Sequence, residues 1–172
     1  RMKIKIATWN INSIRLRENH VCSVLVDYAP DIICLQELKA ATESVPTKKF
    51  EDLGYKYLVI RGQKGYNGVA IISRIPIVDT GHFDYCLKGD ARHVSAILPN
   101  GVEIQNFYIP AGGDVADRKL NMKFGHKLDF LSEMKANFRE KKLVKTILVG
   151  DLNIAPLEID VWNHKQLTKV VS

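Results

Sequence analysis

Two short stretches constrain this chain most. Asp31 to Glu37 and Lys145 to Gly150 place apolar residues side by side, without the alternation of a half-solvated strand. Strands of that kind are covered on both faces, as in layered α/β proteins. Around them the pattern alternates between strand and helix. Lys3 to Trp9 alternates polar and apolar residues as a half-buried strand does. Asn12 or Ser13 is placed to cap a helix carrying Ile14, Val21, Leu25 and Tyr28 and stopping at Pro30. A short helix is expected near Val45 to Leu53, ending at Gly54. Strands are expected at 55–61, 68–74, 76–84, 92–98 and 102–108, with a hairpin turn at Pro99-Asn100-Gly101. A long helix is expected over 116–142, with Leu120, Phe124, Leu128, Leu131, Met134 and Phe138 on one stripe. The last element is a helix-like start at Asn163 to Val171. The whole reads as one layered α/β protein, with Lys145 to Gly150 as a second buried-type strand.

Composition narrows the class without naming a function. The chain has 172 residues, 46% hydrophobic and 26% charged, which excludes fibrous and disordered classes and suits one core. Its apolar runs are too short to span a membrane. Strand-like alternation from Lys3 argues against a secretory signal. Three cysteines, Cys22, Cys34 and Cys86, form no metal-ligand pattern and fit a reducing compartment, so the cytoplasm is expected. The net charge is +6. Residues 1–86 carry 12 basic and 9 acidic side chains and residues 87–172 carry 13 and 10, so each half is +3 and there is no basic arm. Such a surface suits nucleic acid, and equally suits ordinary solubility.

Chemistry gathers at strand ends. Four expected strands finish in polar residues that their apolar bodies do not require: Trp9-Asn10-Ile11-Asn12, Gln36-Glu37, Asn106-Phe107-Tyr108 and Gly150-Asp151-Leu152-Asn153. Open α/β sheets collect their sites at the carboxyl ends of strands. On a shared rim, these ends would bring two carboxylates, side-chain amides and a phenol to one cleft. Carboxylate and amide oxygens are hard ligands, suited to Mg²⁺ or Mn²⁺ and poor for zinc. One carboxylate can hold such a cation while another orients or deprotonates water. The rim therefore reads as phosphate ester hydrolysis. Taken singly, each residue has an ordinary structural explanation: a solvated turn for Glu37, an Asx turn for Asp151, a core tyrosine for Tyr108, a helix cap for Asn10. The coincidence at four ends carries the reading.

Other features are weaker. Gly62 to Gly68 is glycine-rich but lacks the Lys-Ser/Thr of a nucleotide loop; it presents Tyr66 and Lys64, or is simply a hairpin. The helix over 116–142 carries eight basic and four acidic residues, a pattern that fits a solvated face as well as a phosphate-facing one. No serine-nucleophile motif is present, and none of the five histidines has an acid partner nearby in sequence.

Thr8-Trp9-Asn10-Ile11-Asn12-Ser13-Ile14-Arg15 resembles the opening strand motif of the exonuclease III family of apurinic/apyrimidinic (AP) endonucleases. Ile33-Cys34-Leu35-Gln36-Glu37-Leu38-Lys39 is similar to its second motif. Gly65-Tyr66-Asn67-Gly68-Val69-Ala70, the Arg92 strand, Tyr108-Ile109-Pro110 and Gly150-Asp151-Leu152-Asn153 follow in the family's order and spacing. The resemblance covers essentially the whole chain. It implies a four-layer α/β sandwich, two face-to-face mixed sheets with outer helices, here without its C-terminal third. Residues 1–172 would be the N-terminal part of a single catalytic domain. The implied activity is Mg²⁺-dependent (Mn²⁺ as substitute) incision of DNA 5′ to an abasic site, with 3′→5′ exonuclease and 3′-phosphatase activities in many members. The implied partner is double-stranded DNA with abasic sites or 3′ ends, with no membrane, and the full-length protein would be a monomer.

Carried onto matching positions, the resemblance makes Glu37 the metal ligand, with Asn10 beside it. Asp151 would activate the water, Asn153 would orient Asp151 or the phosphate, and Tyr108 would hold a phosphate oxygen. Arg15, Lys39, Tyr66 and Arg92 would lie near DNA or the catalytic network.

Two departures stand out. Ala111-Gly112-Gly113 follows the tyrosine motif where some relatives carry Asn and then Arg. The later part of the family, with a lesion-gripping loop and a terminal Ser-Asp-His, has no counterpart in this sequence. Loss of that histidine removes a transition-state donor, typically a cost of about 10²–10³ in rate. A molecule that truly ended at Ser172 would therefore be nearly inactive. Two competing readings remain at this level: a phosphoesterase of the same superfamily acting on inositol phosphates or sphingomyelin, and a non-catalytic DNA-binding fragment whose affinity falls with salt. Arg15 and Lys39 favour the nuclease.

Overall fold

The computed structural model describes residues 3–141 and 143–167. They divide into two compact units. The larger comprises residues up to Asp84, Gly89–Tyr108 and Val144–Asp151, and the smaller Tyr85–Lys88, Ile109–Leu143 and the segment from Leu152 onward.

The larger unit holds two mixed four-stranded sheets. In the first, β1 (Ile6–Asn10) and β2 (Ile32–Gln36) run parallel. Parallel neighbours need a crossover, and α1 (Ile14–Asp27) supplies it. α2 (Thr47–Asp52), β3 (Tyr57–Arg61) and β4 (Val69–Ser73) follow, giving the order β1-β2-β4-β3. The second sheet has the order β5-β6-β7-β8, from β5 (Val78–Gly81), β6 (His93–Ile97), β7 (Glu103–Tyr108) and β8 (Thr146–Asp151). Here β7 and β8 are the parallel pair, with Tyr108 opposite Asp151; in the first sheet Asn10 stands opposite Gln36.

The two-residue period of a strand separates two cores. Ile33, Leu35, Ala70 and Ile72 face α1 and α2, packing with Ile14, Val21, Leu25 and Phe50. Ile32, Cys34, Val69 and Ile71 face the other way and meet Val94, Ala96, Leu98 and Ile104 of the second sheet. This explains why every residue of β2 is buried. The fold class is the one expected: α/β, two mixed sheets face to face, with helices.

Toward the carboxyl ends of the strands, the inter-sheet core turns polar. Gln36 and Asn106, expected on the rim, lie instead between the sheets, 1% and 0% exposed. Gln36 Nε2 donates to Asn106 Oδ1 at 2.8 Å and to Thr8 Oγ1 at 3.1 Å. Asn106 Nδ2 donates to the carbonyls of Leu35 and Ala70, at 3.0 and 2.9 Å. A buried amide must spend its donors and acceptor inside the protein; the Gln36–Asn106 bond and both Asn106 donor bonds cross the sheets, while Gln36 also bonds within its own sheet.

Several boundaries differ from expectation. α1 begins after Ser13, but neither Ser13 nor Asn12 caps it by side chain. The N–H groups of Ser13 and Ile14 donate to the carbonyls of Glu37 and Leu38, at 2.8 and 3.0 Å, so the chain after β2 does the capping. Tyr28 lies just beyond the helix and is exposed. β5 covers only 78–81 of the expected 76–84, because the register shifts between Asp79 and Gly81. β8 is not buried on both faces. It ends the sheet order, and Ile147 and Leu148 are 37% and 40% exposed.

In the smaller unit, α3 (Met122–Glu140) starts later than expected, since Asn121 Oδ1 accepts the Lys123 N–H and caps it there. Leu120 therefore lies outside the helix and is exposed, and Leu128 is also exposed. The residues buried on α3 are Gly125, Lys127 and Phe130, with the Tyr85 ring 4.6 Å from Phe130. α4 covers His164–Leu167; residues 168–171 of the expected terminal helix lie outside the described residues. Among the described residues no helix is long and apolar enough to cross a membrane.

Gly150 shows how closely β7 and β8 approach. A Cβ there would sit 2.0 Å from the Phe107 carbonyl oxygen, and φ is +139°. The strand can deliver Asp151 only if residue 150 has no side chain.

The inter-sheet amides give a measurable expectation. Asn106→Leu removes three buried hydrogen bonds, so stability should fall by about 3 kcal/mol at roughly 1 kcal/mol per bond. Urea unfolding with an unchanged m value measures it; a loss below about 1 kcal/mol would show that the amides do not pin the sheets.

Candidate active site

The period-two alternation that builds the inter-sheet core also builds the site. Following Ile6 and Thr8 along β1, the next residue on that face is Asn10; following Ile104 and Asn106 along β7, it is Tyr108; following Val149 along β8, it is Asp151. Glu37 is out of step, because alternation would put it on the α1 side with Ile33 and Leu35. A left-handed backbone at Glu37, φ +55°, re-aims its side chain. Such a conformation costs about 1–3 kcal/mol in a non-glycine residue and persists only where its surroundings hold it. Here the Glu37 carbonyl accepts the Ser13 N–H, and three side chains grip the carboxylate.

The geometry centres on one amide. Asn10 Nδ2 donates to Glu37 Oε1 at 3.0 Å and to Asp151 Oδ2 at 2.7 Å. Its Oδ1 accepts the Asn12 N–H at 3.1 Å, which fixes the amide's orientation. Tyr108 donates its hydroxyl to the same Glu37 Oε1 at 2.7 Å. Lys39 Nζ lies 3.1 Å from Glu37 Oε2 and 2.5 Å from Asn12 Oδ1. Behind Tyr108, the Arg92 guanidinium lies 4.8 Å from the ring centre.

Two ionisations respond to this packing. Partial burial works against the charge of Glu37, but hydrogen bonds from Asn10, Tyr108 and Lys39 outweigh it and hold the carboxyl below its ordinary value. Burial of the Tyr108 hydroxyl, then its hydrogen bond to Glu37 and that residue's charge, push the phenol well above its ordinary value. Tyr108 is therefore a neutral donor at physiological pH.

The remaining expected residues fall in different places. Arg15 is exposed in the first turn of α1. Tyr66 is 61% exposed in the loop 62–68. That loop is tied down by Gly65 N donating to the Lys39 carbonyl and Gly68 N to the Ala91 carbonyl, at 3.3 and 2.9 Å. Lys39 and Arg92 turn into the site rather than onto an open face, with side chains 34% and 14% exposed. Asn153 belongs to the smaller unit. There its Nδ2 donates to the Ile109 carbonyl at 2.7 Å, and its own carbonyl accepts from Lys127 Nζ at 2.6 Å. Sequence reasoning missed Asp90, the partner of Arg92, though its place two residues upstream was a usable signal. It also missed Lys127, a 4% exposed cation that nothing distinguishes from its seven basic neighbours in sequence.

Among the described residues no three His, Cys, Asp or Glu side chains cluster as a metal-binding group. The donors present are oxygens of two carboxylates beside an amide and a phenol. That set fits a hard, water-retaining cation, which needs only one or two protein carboxylates, and is unsuited to zinc.

A family model described as Endonuclease/Exonuclease/phosphatase family matches residues 7–170. The chain belongs to that family. Within the Endonuclease/Exonuclease/phosphatase family it is 30% identical over 166 residues to exodeoxyribonuclease III of Haemophilus influenzae, across 92% of this chain and 60% of that relative. It superimposes on an AP endonuclease from Archaeoglobus fulgidus with a TM-score of 0.86 and 33% identity, over 98% of this chain and 65% of that one. A 3′ phosphatase from Neisseria, in a structure bound to product DNA hairpin, matches at 0.84 and 32%, over 96% and 63%. The chain thus spans just under two thirds of the length of these relatives.

The Glu37 shift has a defined sign. A carboxyl whose folded value lies below its unfolded value adds stability above the unfolded value, about 4.3, and loses it as pH falls through the folded one. Tyr108→Phe removes one donor, so the Glu37 carboxyl should titrate at higher pH and its contribution should vanish earlier on acidification. A ¹³C carboxyl NMR titration reads this directly; an unmoved Glu37 midpoint would show that the hydroxyl does not hold the charge.

Proposed function

We propose that this chain is the N-terminal part of a single catalytic domain of a metal-dependent DNA repair nuclease, which hydrolyses a phosphodiester 5′ to an abasic site in duplex DNA. The exonuclease and 3′-phosphatase activities belong to the same proposal, with the cytoplasm as compartment and a monomer as the full-length form. One observation carries it: a single amide, Asn10, holds two carboxylates from different sheets beside a neutral phenol. The similarity to an exodeoxyribonuclease III, an AP endonuclease and a 3′ phosphatase supports the DNA reading over the inositol phosphate or sphingomyelin alternative.

Each side chain then has a task. Glu37, with Asn10, would hold Mg²⁺ or Mn²⁺, which when bound neutralises a phosphate oxygen and stabilises charge developing on it. Asp151 orients the attacking water and takes its proton. Asn10 keeps Asp151 and Glu37 at a fixed separation, so neither reorganises as the reaction proceeds. Tyr108, protonated, donates a hydrogen bond to a phosphate oxygen when substrate displaces its contact with Glu37. Arg15, Lys39 and Tyr66 meet the DNA backbone around the site, and Arg92 acts from behind Tyr108.

The test uses a duplex with one abasic-site analogue and a 5′ label. With Mg²⁺, the chain should incise 5′ to the analogue. Asp151→Asn should abolish this. Efficient site-specific incision that survives Asp151→Asn would overturn the mechanism. Turnover of a soluble phosphoinositide with no incision of DNA would favour the other phosphoesterase reading.

A further inference from the structure

The segment leading into β6 forms a brace behind Tyr108. Asp90 and Arg92 are both largely shielded, their side chains 19% and 14% exposed, with Asp90 Oδ2 3.2 Å from Arg92 Nε. The Arg92 N–H also donates to the Asp90 carbonyl at 2.9 Å. Between them, Ala91 is tied to the neighbouring loop: its N–H donates to Gln63 Oε1 at 3.1 Å, and its carbonyl accepts from Gly68 N at 2.9 Å.

Arg92 in turn grips Tyr108 at three points. Its Nη1 donates to the Tyr108 carbonyl at 3.2 Å. Its carbonyl accepts the Tyr108 N–H at 2.8 Å. Its guanidinium carbon lies 4.8 Å from the centre of the phenol ring. A guanidinium this shielded has lost most of its hydration and needs an anion to remain there. Asp90 is that anion. It binds Nε, which leaves Nη1 for the Tyr108 carbonyl and keeps the cation against the ring, an arrangement favoured by the negative ring face.

We propose that Asp90 is a positioning residue for Tyr108, acting through Arg92: it fixes the guanidinium that braces the phenol ring and so keeps the hydroxyl on Glu37. The side-chain contact of Asp90 is with Arg92, not with Glu37, Asn10 or Asp151. The proposal deepens the nuclease reading, because Tyr108 is the phosphate-facing donor there, and it gives Arg92 a task inside the protein rather than on DNA.

The test reads the ring itself. The chain has six tyrosines. Labelling them with [¹³Cζ]tyrosine gives resolved signals, and Tyr108→Phe identifies the one of interest. Asp90→Asn keeps shape and removes charge; it should move or broaden the Tyr108 signal and leave the other five in place. Arg92→Lys should do the same. Because Asp90 acts through Arg92, the double variant should shift Tyr108 no further than Arg92→Lys alone. The proposal is overturned if the Tyr108 signal in Asp90→Asn superimposes on the wild type. It is also overturned if all six signals move together, or if the two single shifts add. No DNA or cation is present in this experiment, so its failure is distinct from a failure of the nuclease reading.

Discussion

The site depends on the relative register of two sheets, and two buried amides set it. Hydrophobic contact between the sheets is non-directional and would tolerate sliding. The Gln36–Asn106 contact does not, because each of its hydrogen bonds is satisfied at one position only. That register brings Asn10, level with Gln36 in the first sheet, to Asp151, one strand-step beyond Asn106 in the second. Side chains 141 positions apart in sequence thus meet at 2.7 Å.

From the core to the site the inter-sheet face changes by degrees. Ile32, Cys34, Val69 and Ile104 are apolar; Gln36 and Asn106 are polar, buried and satisfied internally; Asn10, Tyr108 and Asp151 are polar and partly exposed. Glu37 alone reaches the layer by a departure from strand geometry, and its backbone conformation is held by the α1 start and by the groups that its carboxylate organises. A carboxylate fixed in this way loses little conformational freedom when it takes a partner, which suits a preorganised electrostatic site.

Most of the architecture was legible. Every expected strand is present, because alternation and turn residues are local signals. The misses have specific causes. The long helix was drawn too far toward its start because Leu120 fits a helical stripe, whereas Asn121 competes for the cap. Lys145 to Gly150 looked like a doubly covered strand, although β8 lies at an edge of its sheet in the described residues. Asn106 and Gln36 looked like rim residues, yet they are the amides between the sheets.

The sequence by itself determined the strands, the two apolar faces of β2, and the residue types at four carboxyl ends. Those follow from backbone periodicity and side-chain chemistry, which act over a few residues. Only the tertiary structure decided which polar ends turn inward as fasteners and which stay at the site, and that Arg92 backs onto Tyr108. Asn106 and Tyr108 share one face of one strand. What separates them is the chain that the opposite sheet places against each, and no local pattern records that distance.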